Sequence, residues 1–260
     1  MKLQNIGIKG IELDWFRRYL TERTQSVLIN NITSDRLCTK CGVPQGTVLG
    51  PLLFIIYINN IISAIKSDAK TCLNLFADDT LVAIEDCDIY SAVHKLNLVL
   101  NDINVWFKSN NLIINTDKTK VMLLGSIGDE STLPDVILNG SILEKVTRIR
   151  YLGVHIDRNL DFGQHAEEVI KSVTKTTNYF IRSAKSLNIK GRIDIYKGIV
   201  EPNYKYCPTI MMFVNRTNIK KLQVQQNRAM RFMLKCNSYT PVNLMLDCLR
   251  LLSVGQYYAY

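Results

Sequence analysis

No stretch of this chain is long and apolar enough to span a bilayer. The greasiest run, VLGPLLFIIYI at 48–58, falls well short of the ~20 residues a spanning helix needs and carries Gly-Pro inside it. The first ten residues, MKLQNIGIKG, lack the apolar core of a secretory signal. Internal repeats and low-complexity tracts are missing as well. Cysteine shows no framework: Cys38, Cys41, Cys72, Cys87, Cys207, Cys236 and Cys248 are odd in number and scattered. That pattern reads as reduced thiols inside a cell. Cys38 and Cys41 form a C-x-x-C, but no second pair stands nearby and the segment alternates like a strand, so zinc has little support.

What is present fits a globular chain of 260 residues, one large domain or two modest ones, with 47% hydrophobic and 21% charged residues. The net charge of +9 is unevenly placed. Residues 164–260 hold 15 Lys and Arg against 5 Asp and Glu, a net of +10; residues 1–163 hold 17 against 18, a net of −1. A basic region of this kind is either a solvated helical surface or a face for polyanions.

Along the chain, GIELDWFRRYLT at 10–21 reads as a short amphipathic helix with Ile11, Trp15, Phe16 and Tyr19 inward. QSVLINN and DRLCTKCGV read as a hairpin with Asn30 and Asn31 near its turn. GVPQGTVLGP breaks regular structure, and Pro51 suits the first position of the helix LLFIIYINNIISAI, whose first turns are apolar nearly all round and so expected to be deeply buried. LNLF and TLVAI read as two strands. A long helix at 88–109 places Ala92, Leu96, Val99, Leu100, Ile103 and Phe107 at helical spacing. NLIINTDKTKVMLLG is expected to be a hairpin with a Thr-Asp-Lys turn, and KVTRIRYLGVHID is strand-like. Helical periodicity then covers roughly 164–187, 191–206 and 216–236. The order is mixed αβ followed by all α, an α+β class, with a boundary expected near 160.

Two constellations carry chemistry. Asp78 and Asp79 sit bare between the two strands of LNLFADDTLVAI. Adjacent carboxylates repel, and each is harder to ionise beside the other. Alone they suit a turn; with Mg²⁺, which takes hard oxygen ligands and shares them with phosphates, the repulsion is removed. GVPQG brackets Gln45 with glycines that let another backbone approach closely, though alone it is only a loop.

Together they are more specific. GVPQGTVLGPLLFIIYINNI followed by LFADDT resembles the reverse transcriptases of non-LTR, LINE-like retrotransposons. The likeness continues through NLIINTDKTKVMLLG and RYLGVHID, and more loosely through KGIVEPNYKYCPTIMM, QQNRAMR and Tyr239-Thr240-Pro241. The resemblance implies partial fingers and palm, a polymerase palm-type antiparallel sheet with packed helices, at 1–160 and a basic helical thumb and connecting region at 161–260. It implies RNA-directed DNA synthesis: nucleotidyl transfer onto a primer 3′-hydroxyl with Mg²⁺ or Mn²⁺, on an RNA template and DNA primer, from deoxynucleoside triphosphates. Asp78 maps to the metal-ligating aspartate and Asp79 to its partner. Gly42, Pro44, Gln45 and Gly46 map to the loop that meets nucleotide and template, with Thr47 in place of a more usual serine. Lys118 aligns with a lysine proposed to protonate leaving pyrophosphate, or is a solvated turn lysine. Tyr151, Leu152 and Gly153 resemble a primer grip, with Tyr151 equally a core tyrosine. Lys171, Lys175, Arg182, Lys185, Lys190 and Arg192 are candidates for phosphates of the template–primer duplex. The location implied is intracellular, in nucleus and cytoplasm, without membrane, alongside the rest of a retrotransposon polyprotein.

One piece of the family pattern is missing. The other metal-binding aspartate sits, in that family, in a Phe-Asp segment before the helix that reads GIELDWFRRYL here. Only MKLQNIGIK precedes it, without an acid, and Asp14 lies inside the helix. The fingers segment and recognisable endonuclease and chaperone regions are also absent. The expectation is an N-terminally truncated chain with little or no polymerase activity alone. A non-catalytic nucleic-acid-binding remnant is the alternative. A viral RNA-dependent RNA polymerase is disfavoured by Ala77, where that class places glycine, and by the GVPQG loop.

Overall fold

The structure is a computed structural model, and it describes residues 2–66, 70–125 and 132–259. Its backbone divides into two compact units, Met1–Thr119 with Asp129–Leu143, and Lys120–Gly128 with Glu144–Tyr260. The shift in charge and periodicity near 160 lies inside the second unit, which begins with strands.

The first unit opens with α1 (Lys2–Asn5) and α2 (Gly10–Leu20). β1 (Arg23–Gln25) pairs antiparallel with β4 (Leu37–Thr39), and inside that ribbon β2 (Leu28–Ile29) pairs with β3 (Ile32–Thr33). Asn30 and Asn31 turn the ribbon at φ +49° and +65°, the two-residue loop that best matches strand twist and that asparagine tolerates. α3 (Leu49–Ile58) runs into a 3₁₀ stretch, Asn59–Ala64. β5 (Thr71–Phe76) and β6 (Asp79–Ile84) form the hairpin, in register from Thr71↔Ile84 to Phe76↔Asp79. α4 (Ile89–Ser109) starts where the Asp88 carboxylate accepts the Ser91 N–H at 2.7 Å.

Among the described residues of this unit, two small clusters pack α2, α3, α4 and the hairpin. Ile58, Ile61, Val99, Ile103 and Trp106 form one, with Leu73, Leu75, Val82 and Ile84 of the hairpin packed against it. Leu3, Leu13 and Leu53 form the other, with Val43, Leu49 and Ile56. α3 feeds both, which explains an apolar sequence without one apolar stripe.

Several expectations change here. Ile11 and Trp15 point outward, 86% and 51% exposed, and Leu13 is the buried residue of α2. α3 begins at Leu49, so Pro51 is its third residue. The Thr47 hydroxyl accepts the Gly50 N–H at 3.2 Å, starting the helix earlier than proline alone would mark. Leu52 and Ile55 are exposed, so the helix is not deeply buried. The expected hairpin over NLIINTDKTKVMLLG keeps its turn, where Asn115 Oδ1 accepts the Lys118 N–H at 3.2 Å, but no antiparallel ladder forms. Instead β7 (Lys120–Val121) pairs parallel with β10 (Glu144–Lys145), after the short ribbon of β8 (Ile137–Leu138) and β9 (Ser141–Ile142).

The second unit continues with β11 (Arg148–Tyr151) and β12 (Val154–Asp157), an antiparallel pair from Arg148↔Asp157 to Tyr151↔Val154. Asp157 ends it by accepting backbone N–H groups of Asn159 (3.0 Å) and Phe162 (3.1 Å), leading the chain into α5 (Gly163–Ser183). α6 (Ile189–Ile195) starts on the Asn188 cap and passes through a π-helical turn, Tyr196–Val200, into α7 (Glu201–Lys205). The continuous helix expected at 191–206 is thus interrupted. α8 (Pro208–Met211), α9 (Arg216–Leu234), α10 (Val242–Leu249) and α11 (Val254–Ala259) complete the bundle. One large core unites it, with Phe180, Tyr196, Tyr204, Leu222, Met230 and Met245 fully buried. Gln226, also fully buried, donates to the Leu252 carbonyl at 2.8 Å and accepts from Gln223 at 2.8 Å, so its polarity is satisfied. No helix among the described residues is long and apolar enough to cross a membrane.

Candidate catalytic hairpin and nucleic-acid interface

The first strand of the hairpin, β5, alternates in burial along its length. Leu73 and Leu75 face the cluster beneath, while Cys72, Asn74 and Phe76 face out. The hairpin's loop is Ala77-Asp78, with Ala77 at φ +50°, a left-handed conformation that is strained for alanine. A positive φ at the first loop residue matches the right-handed twist of the strands. The result is Asp78 in the loop and Asp79 at the first position of β6, both exposed. No group of three or more His, Cys, Asp or Glu able to hold a metal occurs among the described residues. Asp78 and Asp79 offer exposed carboxylate oxygens, the hard donors that a divalent cation sharing its shell with phosphate and water takes. Cys38 and Cys41 are free, exposed thiols outside any such group.

The GVPQG loop rests on the other cluster of the same unit. Gly42 and Gly46 take φ +80° and +74°, which keeps side-chain bulk away from Gln45. The loop is braced from three sides. Tyr19 donates its hydroxyl to Thr47 Oγ1 at 2.9 Å, Thr47 donates to the Pro44 carbonyl at 2.8 Å, and Arg23 donates to the Gly42 carbonyl at 2.6 Å. A Cβ at Gly50 would come within 3.1 Å of that Pro44 oxygen. Gln45 and Gly46 are left exposed. The sequence shows Thr47 but neither its partner Tyr19, 28 residues earlier, nor the Arg23 that holds the Gly42 carbonyl from 19 residues earlier. Only pairing across that distance reveals them. Lys118 is exposed in its turn, downstream of Leu112 and Ile114, which pack on the cluster that carries the hairpin.

In the second unit, Tyr151 and Leu152 are half-buried and Gly153 exposed at the β11–β12 turn. Lys171, Lys175, Arg182, Lys185 and Lys190 are exposed. Lys171 pairs with Glu168 at 2.8 Å, a surface pair of small energetic weight. Lys171, Lys175 and Arg182 line an open cleft of about 730 Å³ together with Asn178 and Arg228. Arg228, from QQNRAMR, is held by Asn178 at 3.0 Å and Gln225 at 2.7 Å. It was not singled out in the sequence, because its partner lies on another helix.

Arg192 does not belong with these residues. It is 4% exposed, and its guanidinium donates to the carbonyls of Ala184 (3.2 Å), Lys185 (2.8 Å) and Phe232 (3.0 Å) while stacking on the Phe232 ring. These carbonyls close the C-terminal ends of α5 and α9, where unsatisfied oxygens and the helix dipole favour a cation. Arg192 is a helix-end staple, and its expected phosphate contact is withdrawn.

The sequence profile described as reverse transcriptase (RNA-dependent DNA polymerase) matches residues 1–156, and the chain belongs to that family. Over 219 residues it is 30% identical to the RNA-directed DNA polymerase from mobile element jockey of Drosophila funebris, covering 80% of this chain and 23% of that protein. It is 27% identical to the probable RNA-directed DNA polymerase from transposon X-element of Drosophila melanogaster, over 85% of this chain and 24% of that protein. A third relative, the probable RNA-directed DNA polymerase from transposon BS of the same species, is 26% identical over 86% of this chain and 25% of its own length. These are proteins of mobile elements and transposons, and the chain spans about a quarter of their length.

Proposed function

We propose that this chain supplies the palm, at 1–160, and the basic helical thumb and connecting region, at 161–260, of a non-LTR retrotransposon RNA-directed DNA polymerase. The observation that carries the reading is the hairpin tip, two exposed carboxylates behind a left-handed Ala77 on a chain of the reverse transcriptase family. Asp78 and Asp79 would hold Mg²⁺ or Mn²⁺, and the bound ion supplies charge stabilisation at a transferring phosphoryl group. The braced loop offers the Gln45 side chain and the backbone of Gly42, Pro44 and Gly46 to a deoxynucleoside triphosphate and the template. Lys118 supplies a proton to leaving pyrophosphate. Tyr151, Leu152 and Gly153 meet the DNA primer end. Lys171, Lys175, Arg182, Lys185 and Lys190, with Arg228 added, hold duplex phosphates and position the duplex without reading its sequence. The seven free cysteines suit a reducing compartment, cytoplasm or nucleus, with the remainder of the element's polyprotein as partner.

Two-ion phosphoryl transfer needs a carboxylate beyond this pair, so the chain alone is expected to bind a recessed RNA–DNA hybrid and to extend it at background rate. Primer extension on a homopolymer template with Mg²⁺ or Mn²⁺, beside hybrid binding, tests this. Robust Asp78-dependent synthesis would overturn the incomplete-centre reading, and failure to bind hybrid would overturn the polymerase reading. The lone carboxylate pair also favours a non-catalytic binding remnant as the second reading. A remnant binds hybrid equally well after Asp78→Ala, with or without the divalent ion.

A further inference from the structure

The turn joining β11 to β12 is built from Leu152 and Gly153 at φ +45° and +83°. Two positive φ values suit a tight hairpin, but leucine adopts one only at a cost. A specific contact answers that cost. Tyr206 donates its hydroxyl to the Leu152 carbonyl oxygen. Its ring lies over Gly153, where a Cβ would stand 3.3 Å from a ring carbon and 3.4 Å from the hydroxyl oxygen. Glycine is thus required at 153 both by backbone angle and by the tyrosine against it.

Tyr206 is brought there by a break in the bundle. α7 ends at Lys205, Tyr206 is extended at φ −75° and ψ 124°, and Cys207 turns left-handed at φ +48° before Pro208 opens α8. Tyr206 stays 51% exposed, so core burial does not account for its placement. The contacts that place it are with the turn.

We propose that Tyr206 is a positioning residue that locks the Leu152–Gly153 turn and so presents Tyr151–Gly153 to the 3′ end of a polynucleotide. The functional half of this inference rests on the primer-grip reading above. The test uses the full chain and two readouts: amide hydrogen exchange over 151–154, and the preference for an RNA–DNA hybrid with a recessed DNA 3′ end over a blunt one, measured by fluorescence anisotropy. Tyr206→Phe, which keeps the ring and loses the donor, is expected to raise exchange in the turn by about 3- to 10-fold, as loss of one hydrogen bond implies, with the melting temperature lowered by no more than about 4 °C. The recessed-end preference falls with it. Gly153→Ala loosens the turn at least as much, and costs less in a Tyr206→Ala background than in the native one, because the clash is gone. Tyr239→Phe, at an exposed tyrosine, changes neither readout. Unchanged exchange in Tyr206→Phe, or strict additivity of Gly153→Ala and Tyr206→Ala, overturns the clamp. Faster exchange with an unaltered recessed-end preference keeps the clamp and overturns the primer-grip reading.

Discussion

The two units are built on different economies of burial. The bundle gathers α5 through α11 round one core, and Tyr196, Tyr204, Phe180, Met211, Leu222, Met230, Met233, Met245 and Gln226 are its largest fully buried side chains. Among the described residues, the first unit adds Ile61, Val93, Val99 and Val136 at that level of burial. It leaves Val27, Leu28, Ile29, Ile32 and Leu37 of its β1–β4 ribbon exposed. Helices bury their apolar stripes against one another in many combinations, whereas a two-stranded ribbon has one face to bury and needs a partner layer. The first unit carries the exposed carboxylates and the GVPQG loop. Its site geometry therefore depends on individual hydrogen bonds and turns, while the bundle holds its basic surface through packing.

That contrast is open to test, and the largest effect belongs to the bundle. Arg192→Ala leaves three carbonyls at two helix ends without their donor, and urea denaturation is expected to show a loss of about 3 kcal/mol. In the same variant, hybrid affinity of the folded protein should hold, whereas Lys175→Ala should weaken it and reduce the slope of log affinity against log salt by about 1. A salt slope changed by Arg192→Ala without loss of stability would restore it to the phosphate surface.

In the first unit the loop is the point to break. Thr47→Val removes the hydroxyl that joins Tyr19, Pro44 and Gly50, and about 1 kcal/mol of stability is expected to go with it, with faster exchange over 42–50. Thr47→Ser should recover most of both.

Acidity separates the units further. His165 is 3% exposed, with both ring nitrogens unpartnered and the His155 ring 6.4 Å away. Burial, aided by the His155 charge, holds it below the usual imidazole range. The unfolded chain then takes up a proton that the folded chain refuses, so the His165 contribution to stability is complete above about pH 7.5 and is lost as pH falls through about 6.5. Melting curves from pH 7.5 to 5 should show the bundle weakening, and the dependence should shrink in His165→Phe. In the first unit, the hydrogen bond from Lys95, with help from Ser91, holds Asp86 well below the ordinary carboxylate range. Its contribution is present at neutral pH and fades only below about pH 4.

The smallest effect sharpens the hairpin. Ala77→Gly relieves the left-handed alanine and should stabilise the hairpin by about 1 kcal/mol or less, read as slower exchange across Phe76–Thr80. Destabilisation would mean that the left-handed backbone at Ala77 carries no strain.

Local patterns were legible where a residue's partner lies close in sequence. LNLF and TLVAI were legible as two strands of one hairpin, although Asp79 proves to be the first residue of β6 rather than part of the loop. The Asn30-Asn31 turn was legible for the same reason, whereas the turn at Leu152-Gly153 was not read from the strand-like KVTRIRYLGVHID. The face of α2 was not, because an amphipathic helix shows that it has a face but not which neighbour covers it. Leu3 and Leu53 cover Leu13 and leave Ile11 and Trp15 in solvent. Arg192 was misread because a basic residue in a basic helix looks the same whether it reaches outward or folds back on helix ends. The π-turn at Tyr196–Val200 has no periodicity that a helical template separates from α.

The sequence by itself determined the carboxylate pair, the loop, the turns, the segregation of positive charge and, through these, membership of the reverse transcriptase family. Each rests on neighbours within a few residues or on composition, which chain order preserves. Tertiary structure alone decided which hydroxyl braces the loop, which arginine is free to meet a phosphate, and which tyrosine lies over Gly153. Those contacts join residues 19 to 54 apart, or lie on different helices, and only the packing of the intervening chain brings them within hydrogen-bonding distance.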